Sequence, residues 1–254
     1  MNILFKDFSK TYEKETVYSN FNLELKEGKI TSVLGGSGSG KTTLLNAVGG
    51  IIGYQGEIRG IPNDISYIFQ NQILLPNLTV YKNIEYVLLS KIKDKKARHQ
   101  KIIDTLASVG LEGSIDKYPS ELSTGMAQRV SMARAFAYPA PLILMDEPFR
   151  GLDIGLKNRL ISVFTSLWEK EKRTVLFVTH NIDEALLLSD RIIVIDGRAP
   201  PSQGGCCGFE SRLPLHLCST KRLQANKTTR YGKFLVVFCY ILCFSGNLSF
   251  LNIL

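Results

Sequence analysis

Three short apolar stretches of the chain predict strands that are buried on both faces. They are residues 29–34, 142–145 and 174–178. Each has few polar breaks, which is typical of parallel strands covered by helices on both sides. Residues 191–195 have the same character, whereas alternating apolar and charged positions in residues 1–25 indicate antiparallel edge strands. The pattern therefore predicts an α/β fold with an antiparallel β edge at its N-terminus.

The apolar positions change to a helical spacing between residues 71 and 140. Residues three and four positions apart share one face there, namely Ile102, Ile103, Leu106 and Val109. Gly110 follows this face as a helix stop, and residues 130–136 continue a second helix that Tyr138 and Pro139 close. We therefore expect a helical subdomain of about residues 71–140 inserted into the α/β core.

The clearest chemical motif joins the first apolar strand to the helix after it. Residues 35–42 read G-G-S-G-S-G-K-T and satisfy the phosphate-loop pattern G-x-x-x-x-G-K-[ST] at every position. Glycines let backbone N–H groups converge on phosphate oxygens, and the positive end of the helix over residues 43–48 points at the same anion. Lys41 would reach the β- and γ-phosphates, and Thr42 would reach Mg²⁺. We therefore predict a nucleoside triphosphate site, whose expected contacts are Gly35, Gly36, Ser37, Gly38, Ser39, Gly40, Lys41, Thr42 and Thr43.

Two adjacent acids, Asp146 and Glu147, follow the second apolar strand. Successive side chains of a strand point to opposite faces, so the two acids cannot have the same role. Asp146, nearer the core, suits the binding of Mg²⁺ directly or through a water molecule, because this cation prefers oxygen ligands and keeps several waters. Glu147, at the exposed tip, suits the polarisation of an attacking water.

Charge and cysteine are distributed unevenly along the 254 residues, a length that allows one large α/β domain or a domain with an appendage. The formal charge of +8 would favour nucleic acid or an anionic membrane as a partner. However, residues 1–197 carry 24 basic and 22 acidic residues, so they are nearly neutral and we expect no nucleic acid partner. All five cysteines lie beyond residue 200, and a cysteine-free body fits a reducing cytosol.

A second motif distinguishes this chain from kinases, GTPases and helicases, which also use phosphate loops. Residues 122–129 read L-S-T-G-M-A-Q-R and resemble the signature motif of ABC ATPases, usually L-S-G-G-Q or L-S-G-G-M followed by Q-R. Other family markers occur in the family order, namely Tyr12, Gln70, the segment Gly151-Leu152-Asp153 and the segment Val178-Thr179-His180. Residues 1–197 thus resemble an ABC ATPase domain, with a P-loop NTPase core of the ABC-cassette type.

The resemblance implies ATP and Mg²⁺ as cofactors and a head-to-tail pair of cassettes that hydrolyses ATP. Tyr12 would stack on adenine, Gln70 would sense Mg²⁺ and the water, and His180 would contact the γ-phosphate, beside Glu147 as the residue that orients the water. The metal would be held by Thr42, Gln70 and Asp146. Further residues expected at the nucleotide belong to the signature and the segment after the acids, namely Ser123, Gly125, Gln128 and Asp153, of which Ser123 and Gly125 would act on the partner's ATP.

The chain also resembles the ATPase subunits of importers for nitrate, taurine, alkanesulfonates or pyrimidine precursors. The hints lie in residues 74–76, 125–126, 146–149 and 183–190. The resemblance implies a peripheral protein at the cytoplasmic face of the cell membrane. Its expected partners are a second ATPase subunit, transmembrane permease subunits and, indirectly, a solute-binding protein. Residues 1–10 contain no apolar run of signal-peptide length, which agrees with this expectation.

Two departures from the family pattern leave a binding-only cassette open as an alternative. Thr124 stands where the family usually has glycine, and Arg150 introduces a long cation near the expected dimer seam. A clamp acting on DNA or in translation is the other alternative. Clamps of the chromosome type need a long coiled coil between phosphate loop and signature, and the separation of Lys41 from Leu122 is too short for one. Translation-type members carry two cassettes, and this chain has one.

The family-like pattern stops after residue 197, and three interpretations of residues 198–254 compete. Residues 234–254 lack charge and are just long enough for a transmembrane helix, although polar residues interrupt them. A metal site is the second interpretation, with Cys206, Cys207, His216 and Cys218 as ligands. We favour the third, an atypical tail from a shifted reading frame or a degenerate end.

Overall fold

The computed structural model describes residues 2–13 and 15–195. The strands are β1 (Ile3–Tyr12), β2 (Glu15–Leu25), β3 (Ile30–Gly35), β4 (Gln55–Arg59), β5 (Ile65–Ile68), β6 (Leu142–Asp146), β7 (Thr174–Thr179) and β8 (Arg191–Ile195). The helices are α1 (Lys41–Val48), α2 (Val80–Leu88), α3 (Lys95–Ser108), α4 (Thr124–Ala137), α5 (Ile154–Glu171) and α6 (Ile182–Leu188). Two 3-10 turns, Glu112–Ser114 and Pro119–Glu121, lie between α3 and α4.

Two sheets carry these elements. The larger consists of five parallel strands in the order β5-β6-β7-β3-β8, and Met145 of β6 lies opposite Phe177 of β7. The smaller consists of three antiparallel strands in the order β2-β1-β4. This arrangement confirms the predicted α/β class with an antiparallel N-terminal β edge.

The central strands of the parallel sheet are buried on both faces, and alternate residues of each strand enter different cores. Ile143 of β6 packs on one side with Phe136 of α4 and Phe164 of α5. Its neighbour Leu144 packs on the other side with Phe8 of β1, in a cluster that also contains α1. The sheet is therefore covered by helices on one face and by α1 and the antiparallel sheet on the other, which explains the continuous apolar runs of its strands.

Helix α4, which carries the signature residues at its start, is held at both ends by side chains. The Ser123 hydroxyl accepts a hydrogen bond from the Met126 N–H at 3.3 Å and caps the N-terminus. At the other end, the buried guanidinium of Arg173 donates to the carbonyl oxygens of Phe136 at 2.9 Å and Tyr138 at 2.6 Å. A cation at this position also complements the negative end of the helix dipole. These contacts fix α4 against the core.

Most predicted elements are present with nearly the predicted bounds. The four parallel strands occur as β3, β6, β7 and β8, each end within one residue of the prediction. Helices α2, α3 and α4 lie within the range expected for the helical insertion. The sequence pattern did not single out β4, β5 or α5. The first two are only five and four residues long, too short for an alternating pattern to stand out.

The three interpretations of residues 198–254 lie outside the described residues. Among residues 2–13 and 15–195, no helix combines the length and the apolar character that crossing a bilayer requires.

Candidate functional site

The phosphate loop runs from the end of β3 to the start of α1, as its motif predicts. Its last glycine, Gly40, is the N-cap of α1 and has a φ of 89°, in the left-handed region that favours glycine. A Cβ at this position would lie 2.4 Å from Val17 Cγ1 and 3.0 Å from Tyr18 Cε2. The Tyr18 hydroxyl also donates to the Gly40 carbonyl at 3.0 Å. Strand β2 therefore packs directly against the loop and determines its shape.

Lys41, the first residue of α1, is turned back over this loop. Its ammonium group donates to the carbonyl oxygens of Gly35 at 3.0 Å and Gly36 at 2.6 Å, and lies 4.0 Å from Glu147 Oε1. Burial lowers the pKa of Lys41, and the nearby carboxylates of Glu147 and Asp146 oppose that shift. A buried ammonium held by loop carbonyls is a cation that a phosphate group can recruit without reorganising the backbone.

Thr42 and Asp146 form a second polar pair at the edge of the loop. The Thr42 hydroxyl donates to the two carboxylate oxygens of Asp146 at 3.1 Å and 3.3 Å. Burial raises the pKa of Asp146, and the hydrogen bond from Thr42 opposes this shift. A hydroxyl and a carboxylate at this separation are oxygen ligands of the kind that Mg²⁺ prefers.

Glu147 directly follows β6 and is held in an unusual backbone conformation. Its φ of 41° is in the left-handed region, which is uncommon for a residue with a side chain. The Glu147 N–H donates to the Val178 carbonyl of β7 at 3.0 Å, and this bond stabilises the conformation. Glu147 Oε2 accepts a hydrogen bond from Arg150 Nη1 at 3.0 Å and lies 3.2 Å from His180 Nδ1. The carboxylate therefore lies between Lys41, Arg150 and His180. Glu147 is only 7% exposed, so the exposed position predicted for it is wrong, because these three side chains cover it.

A buried network fixes the turn that carries His180. The Thr179 hydroxyl donates to Glu184 Oε2 at 2.7 Å and accepts from the Asn181 N–H at 3.0 Å. Glu184 is buried in α6 and pairs with Lys157 of α5 at 2.8 Å. Neither Glu184 nor Lys157 was predicted as a functional residue, because the two lie on separate helices far apart in sequence.

Many of the predicted residues line a cavity of 390 Å³, whereas Gly35, Gly36, Ser39 and His180 are not among its lining residues. Those that line it are Tyr12, Ser37, Gly38, Gly40, Lys41, Thr42, Thr43, Gln70, Asp146 and Glu147. Tyr12 is 43% exposed, and the Lys10 ammonium lies 4.7 Å from the centroid of its ring. Arg150 also lines this cavity, although the sequence indicated it only as a departure from the family pattern.

The donors around this cavity fit MgATP. The loop presents a glycine-rich backbone at the N-terminus of α1, and Lys41 adds a cation there. The buried Ser39 hydroxyl has no hydrogen-bond partner among the described residues, which leaves a polar group of the loop available to a ligand. Thr42 and Asp146 supply the oxygen atoms for a hard cation. Phosphate groups and a divalent cation therefore match the chemistry of this set.

The signature residues do not lie at this cavity. Ser123, Gly125 and Asp153 line a separate cleft of 1070 Å³ between the start of α4 and the N-terminal half of α5. Gly125 allows the two helices to approach, because a Cβ there would lie 2.7 Å from Leu156 Cδ1. Asp153 is the N-cap of α5 and accepts from the Leu156 N–H at 2.9 Å. Within one subunit the two sets of predicted nucleotide contacts are therefore apart.

The model of the ABC transporter family matches residues 18–150, just over half of the chain. The chain belongs to this family. It is an ATP-binding cassette, and its activity is the hydrolysis of ATP.

Relatives of this cassette are similar over about three quarters of its length. An uncharacterized ABC transporter ATP-binding protein of Methanocaldococcus jannaschii is 40% identical over 203 residues, 77% of this chain and 76% of the relative. The aliphatic sulfonates import ATP-binding protein of Bacillus cereus is 39% identical, over 76% of this chain and 79% of the relative. The bicarbonate transport ATP-binding protein of Synechocystis is 41% identical, over 71% and 67% of the two chains.

Solved structures of ABC cassettes share the fold. A dimeric bacterial ABC transporter cassette is 32% identical, with a TM-score of 0.68 over 77% of this chain and 94% of that one. A dimeric post-hydrolysis state bound to ADP and phosphate is 31% identical, with a TM-score of 0.67 over the same shares of the two chains.

The position of Gln128 in this cassette differs from the prediction. Its side chain is fully buried, and its Nε2 donates to the Pro148 carbonyl at 2.6 Å. The Gln128 side chain therefore links α4 to the turn after Glu147, whereas the motif predicted that it contacts the nucleotide. No signal in the sequence pairs Gln128 with Pro148, which lies twenty residues away on another element.

Proposed function

We propose that this cassette is the motor subunit of an importer, and that it works as a head-to-tail pair. Each MgATP would lie between the phosphate loop of one subunit and the Ser123 to Gly125 segment of the other. The single observation that carries the proposal is the separation of the two clefts: Lys41 lines one and Ser123 lines the other. A second copy that presents its signature cleft to this cavity would complete the site. The dimeric cassette structures support this arrangement.

The transported solute we propose is small and of the nitrate, sulfonate, taurine or pyrimidine-precursor class. The support comes from relatives named for the import of aliphatic sulfonates and the transport of bicarbonate. The protein would act at the cytoplasmic face of the membrane with two permease subunits, and a solute-binding protein would deliver the solute from outside. Exposed apolar side chains in the helical insertion support a permease contact, because Ile73 is 54% exposed and Tyr86 is 62% exposed.

The residues around the cavity would divide the work of hydrolysis. Lys41 and the loop N–H groups bind and orient the phosphates, Tyr12 stacks on the adenine, and Thr42 with Asp146 holds Mg²⁺. The ion supplies charge neutralisation on the phosphates when it is bound. Gln70, which also lines the cavity, would contact the ion and the water.

Glu147 and His180 would act on the attacking water and the γ-phosphate. The Glu147 carboxylate is buried and fixed by the turn after β6, so it can accept a hydrogen bond from a water in one direction. His180 Nδ1 lies 3.2 Å from Glu147 Oε2. Positioning and charge neutralisation supply the rate enhancement, because phosphoryl transfer requires little covalent help.

Replacing Glu147 tests the proposed role of the cavity directly. We expect E147Q to lower ATP turnover of the purified protein by about 100-fold or more, since the amide cannot act as the base. Binding of MgATP, measured with a fluorescent ATP analogue, should remain. Size-exclusion chromatography of E147Q should show a dimer with MgATP that is absent without it. Equal turnover of E147Q and the unaltered protein would refute catalysis by Glu147, and a monomer under all conditions would refute the composite site.

A cassette with impaired turnover is the second candidate, and the ion pair between Arg150 and Glu147 is the observation that favours it. A carboxylate already bound to a guanidinium is less available to a water. The same turnover measurement separates the two functions, because an impaired cassette would show little turnover that E147Q could remove.

A further inference from the structure

Arg150 lines the nucleotide cavity but has no role in hydrolysis as described above. It lies in the turn that follows β6, and its N–H donates to the Glu147 carbonyl at 3.1 Å. This backbone bond, with the left-handed φ of Glu147, turns the chain back on itself. The guanidinium consequently lies against the carboxylate three residues earlier, with Nη1 3.0 Å from Oε2. The backbone of the turn therefore brings the two side chains of the pair together.

Both close contacts of the Glu147 carboxylate are made to one of its oxygens, Oε2. Oε2 accepts from Arg150 and lies 3.2 Å from His180 Nδ1, and Oε1 lies 4.0 Å from the Lys41 ammonium. An ionised carboxylate has about four acceptor positions on its two oxygens, and a charged donor is a stronger partner than a water molecule. The oxygen held by Arg150 is thus unavailable for orienting a nucleophile while the ion pair is made.

The two partners of this ion pair differ in exposure to solvent. The Glu147 side chain is 9% exposed and the Arg150 side chain is 49% exposed, so the cation can swing into solvent while the carboxylate stays in place. Arg150 lines the nucleotide cavity, and the next residue, Gly151, lines the signature cleft with a φ of 73°. A partner subunit that closes on the signature cleft would therefore displace the segment that carries Arg150.

We infer that Arg150 is a positioning residue that restrains Glu147 in the open subunit and is released when the partner closes. The restraint keeps hydrolysis low until the pair of cassettes forms. This inference rests on the proposed role of Glu147 as the residue that orients the water. On this inference, Arg150, which departs from the family pattern, regulates ATP turnover and does not abolish it.

The test is steady-state ATP turnover of the purified full-length protein without permease subunits. R150A should raise kcat by about two- to fivefold, the range that a half-exposed ion pair can account for, with KM for MgATP unchanged. R150K, which keeps the charge, should stay near the unaltered protein. Because the restraint is ionic, the ratio of R150A to the unaltered protein should shrink as the NaCl concentration rises.

The matched control is R59A, because Arg59 is also an exposed arginine bound to a glutamate, Glu57, on β4. Its kcat and its thermal midpoint should match those of the unaltered protein. A second readout needs no turnover. In nucleotide-free protein labelled with ¹⁵N-arginine, the guanidinium resonance that disappears in R150A should shift in E147Q and keep its position in R59A.

The outcomes separate this inference from the proposed function. If E147Q is inactive but R150A turns over ATP at or below the rate of the unaltered protein, the restraint is refuted and the role of Glu147 stands. If E147Q is as active as the unaltered protein, the role of Glu147 fails and the restraint fails with it. A R150A/E147Q double variant should be as slow as E147Q, and a faster rate would contradict the inference.

Discussion

At the scale of single residues, polar side chains fix the positions of helices relative to the parallel sheet, which apolar packing alone does not determine. Asp64, just before β5, accepts hydrogen bonds from Lys91 after α2 at 2.6 Å and from Tyr138 after α4 at 2.5 Å. The Lys91 ammonium also lies 5.5 Å from the centroid of the Tyr138 ring. One carboxylate therefore ties two helices of the insertion to the edge of the parallel sheet.

The Asp64 cluster predicts a pH dependence of stability. The hydrogen bonds from Lys91 and then Tyr138 hold the pKa of Asp64 below its ordinary value of 3.8. A lowered pKa in the folded state means that the contribution is present above pH 3.8 and is lost as the pH falls through the lowered value. D64N should therefore lower the thermal midpoint at neutral pH, and the difference from the unaltered protein should close below pH 3.8.

The measurement is a series of thermal melts followed by circular dichroism between about pH 7 and pH 3, the interval over which carboxylates titrate. E112Q, which alters an exposed acid in a 3-10 turn, is the control and should show no such closing difference. A D64N deficit that grows toward acidic pH would contradict the assignment.

At the scale of elements, α4 is the connection between the two clefts. Its N-terminus lines the signature cleft, and its buried Gln128 donates to the Pro148 carbonyl in the turn that carries Glu147 and Arg150. Further along, Arg134 donates to the Ile73 carbonyl at 2.6 Å, in the segment that follows Gln70. A displacement of this helix would therefore shift the turn that carries Glu147 and the segment that follows Gln70.

Gln128 is the residue with which this connection can be tested. Q128L removes the donor to Pro148 while keeping the buried volume similar, so the turn after β6 loses one of its restraints. We expect kcat for ATP to fall by about three- to tenfold, the size of effects reported for coupling through packed networks, with the affinity for nucleotide unchanged. Turnover and the binding of a fluorescent ATP analogue measure the two quantities. A weaker affinity with normal kcat would instead place Gln128 at the nucleotide.

At the scale of the whole molecule, the predicted nucleotide contacts are divided between two clefts. Lys41 and Glu147 lie at one cavity, and Ser123 and Asp153 lie at another. In the proposed head-to-tail pair, each chain would contribute two half-sites and the pair would contain two complete sites. The activity of the pair is then a property of how the subunits combine, which mixtures of inactive variants can reveal.

Mixing K41A with S123R tests the composite site. Each variant alone should be inactive, since every site in either homodimer lacks one essential group. A mixed dimer has one site with an intact Lys41 and an intact Ser123 from different subunits, so an equal mixture should recover about one quarter of the original turnover. Turnover is measured after the two variants are mixed and incubated with MgATP. If both groups acted within one subunit, mixing would restore nothing.

The sequence by itself determined the features that depend on local chemistry. Apolar runs predict the parallel strands because a strand covered on both faces is mostly apolar, and the central strands β6 and β7 follow that rule. The edge strand β8 has the same apolar character but is only partly buried. The phosphate loop is equally local, since the glycines, Lys41 and the start of α1 are contiguous. The fold class and a nucleoside triphosphate site follow from these contiguous motifs, whereas the family and ATP follow from the resemblance of residues 122–129 to the ABC signature.

Only the tertiary structure decided how residues from separate elements are joined. Arg150 contacts Glu147 because the chain makes a left-handed turn between them. Gln128 is buried and donates a hydrogen bond to Pro148. The signature residues line a different cleft from Lys41. No periodicity encodes such contacts, since they depend on how helices pack on the sheet and on which side chains the packing buries. The chain order therefore predicts which residues matter, and the packing decides which of them meet.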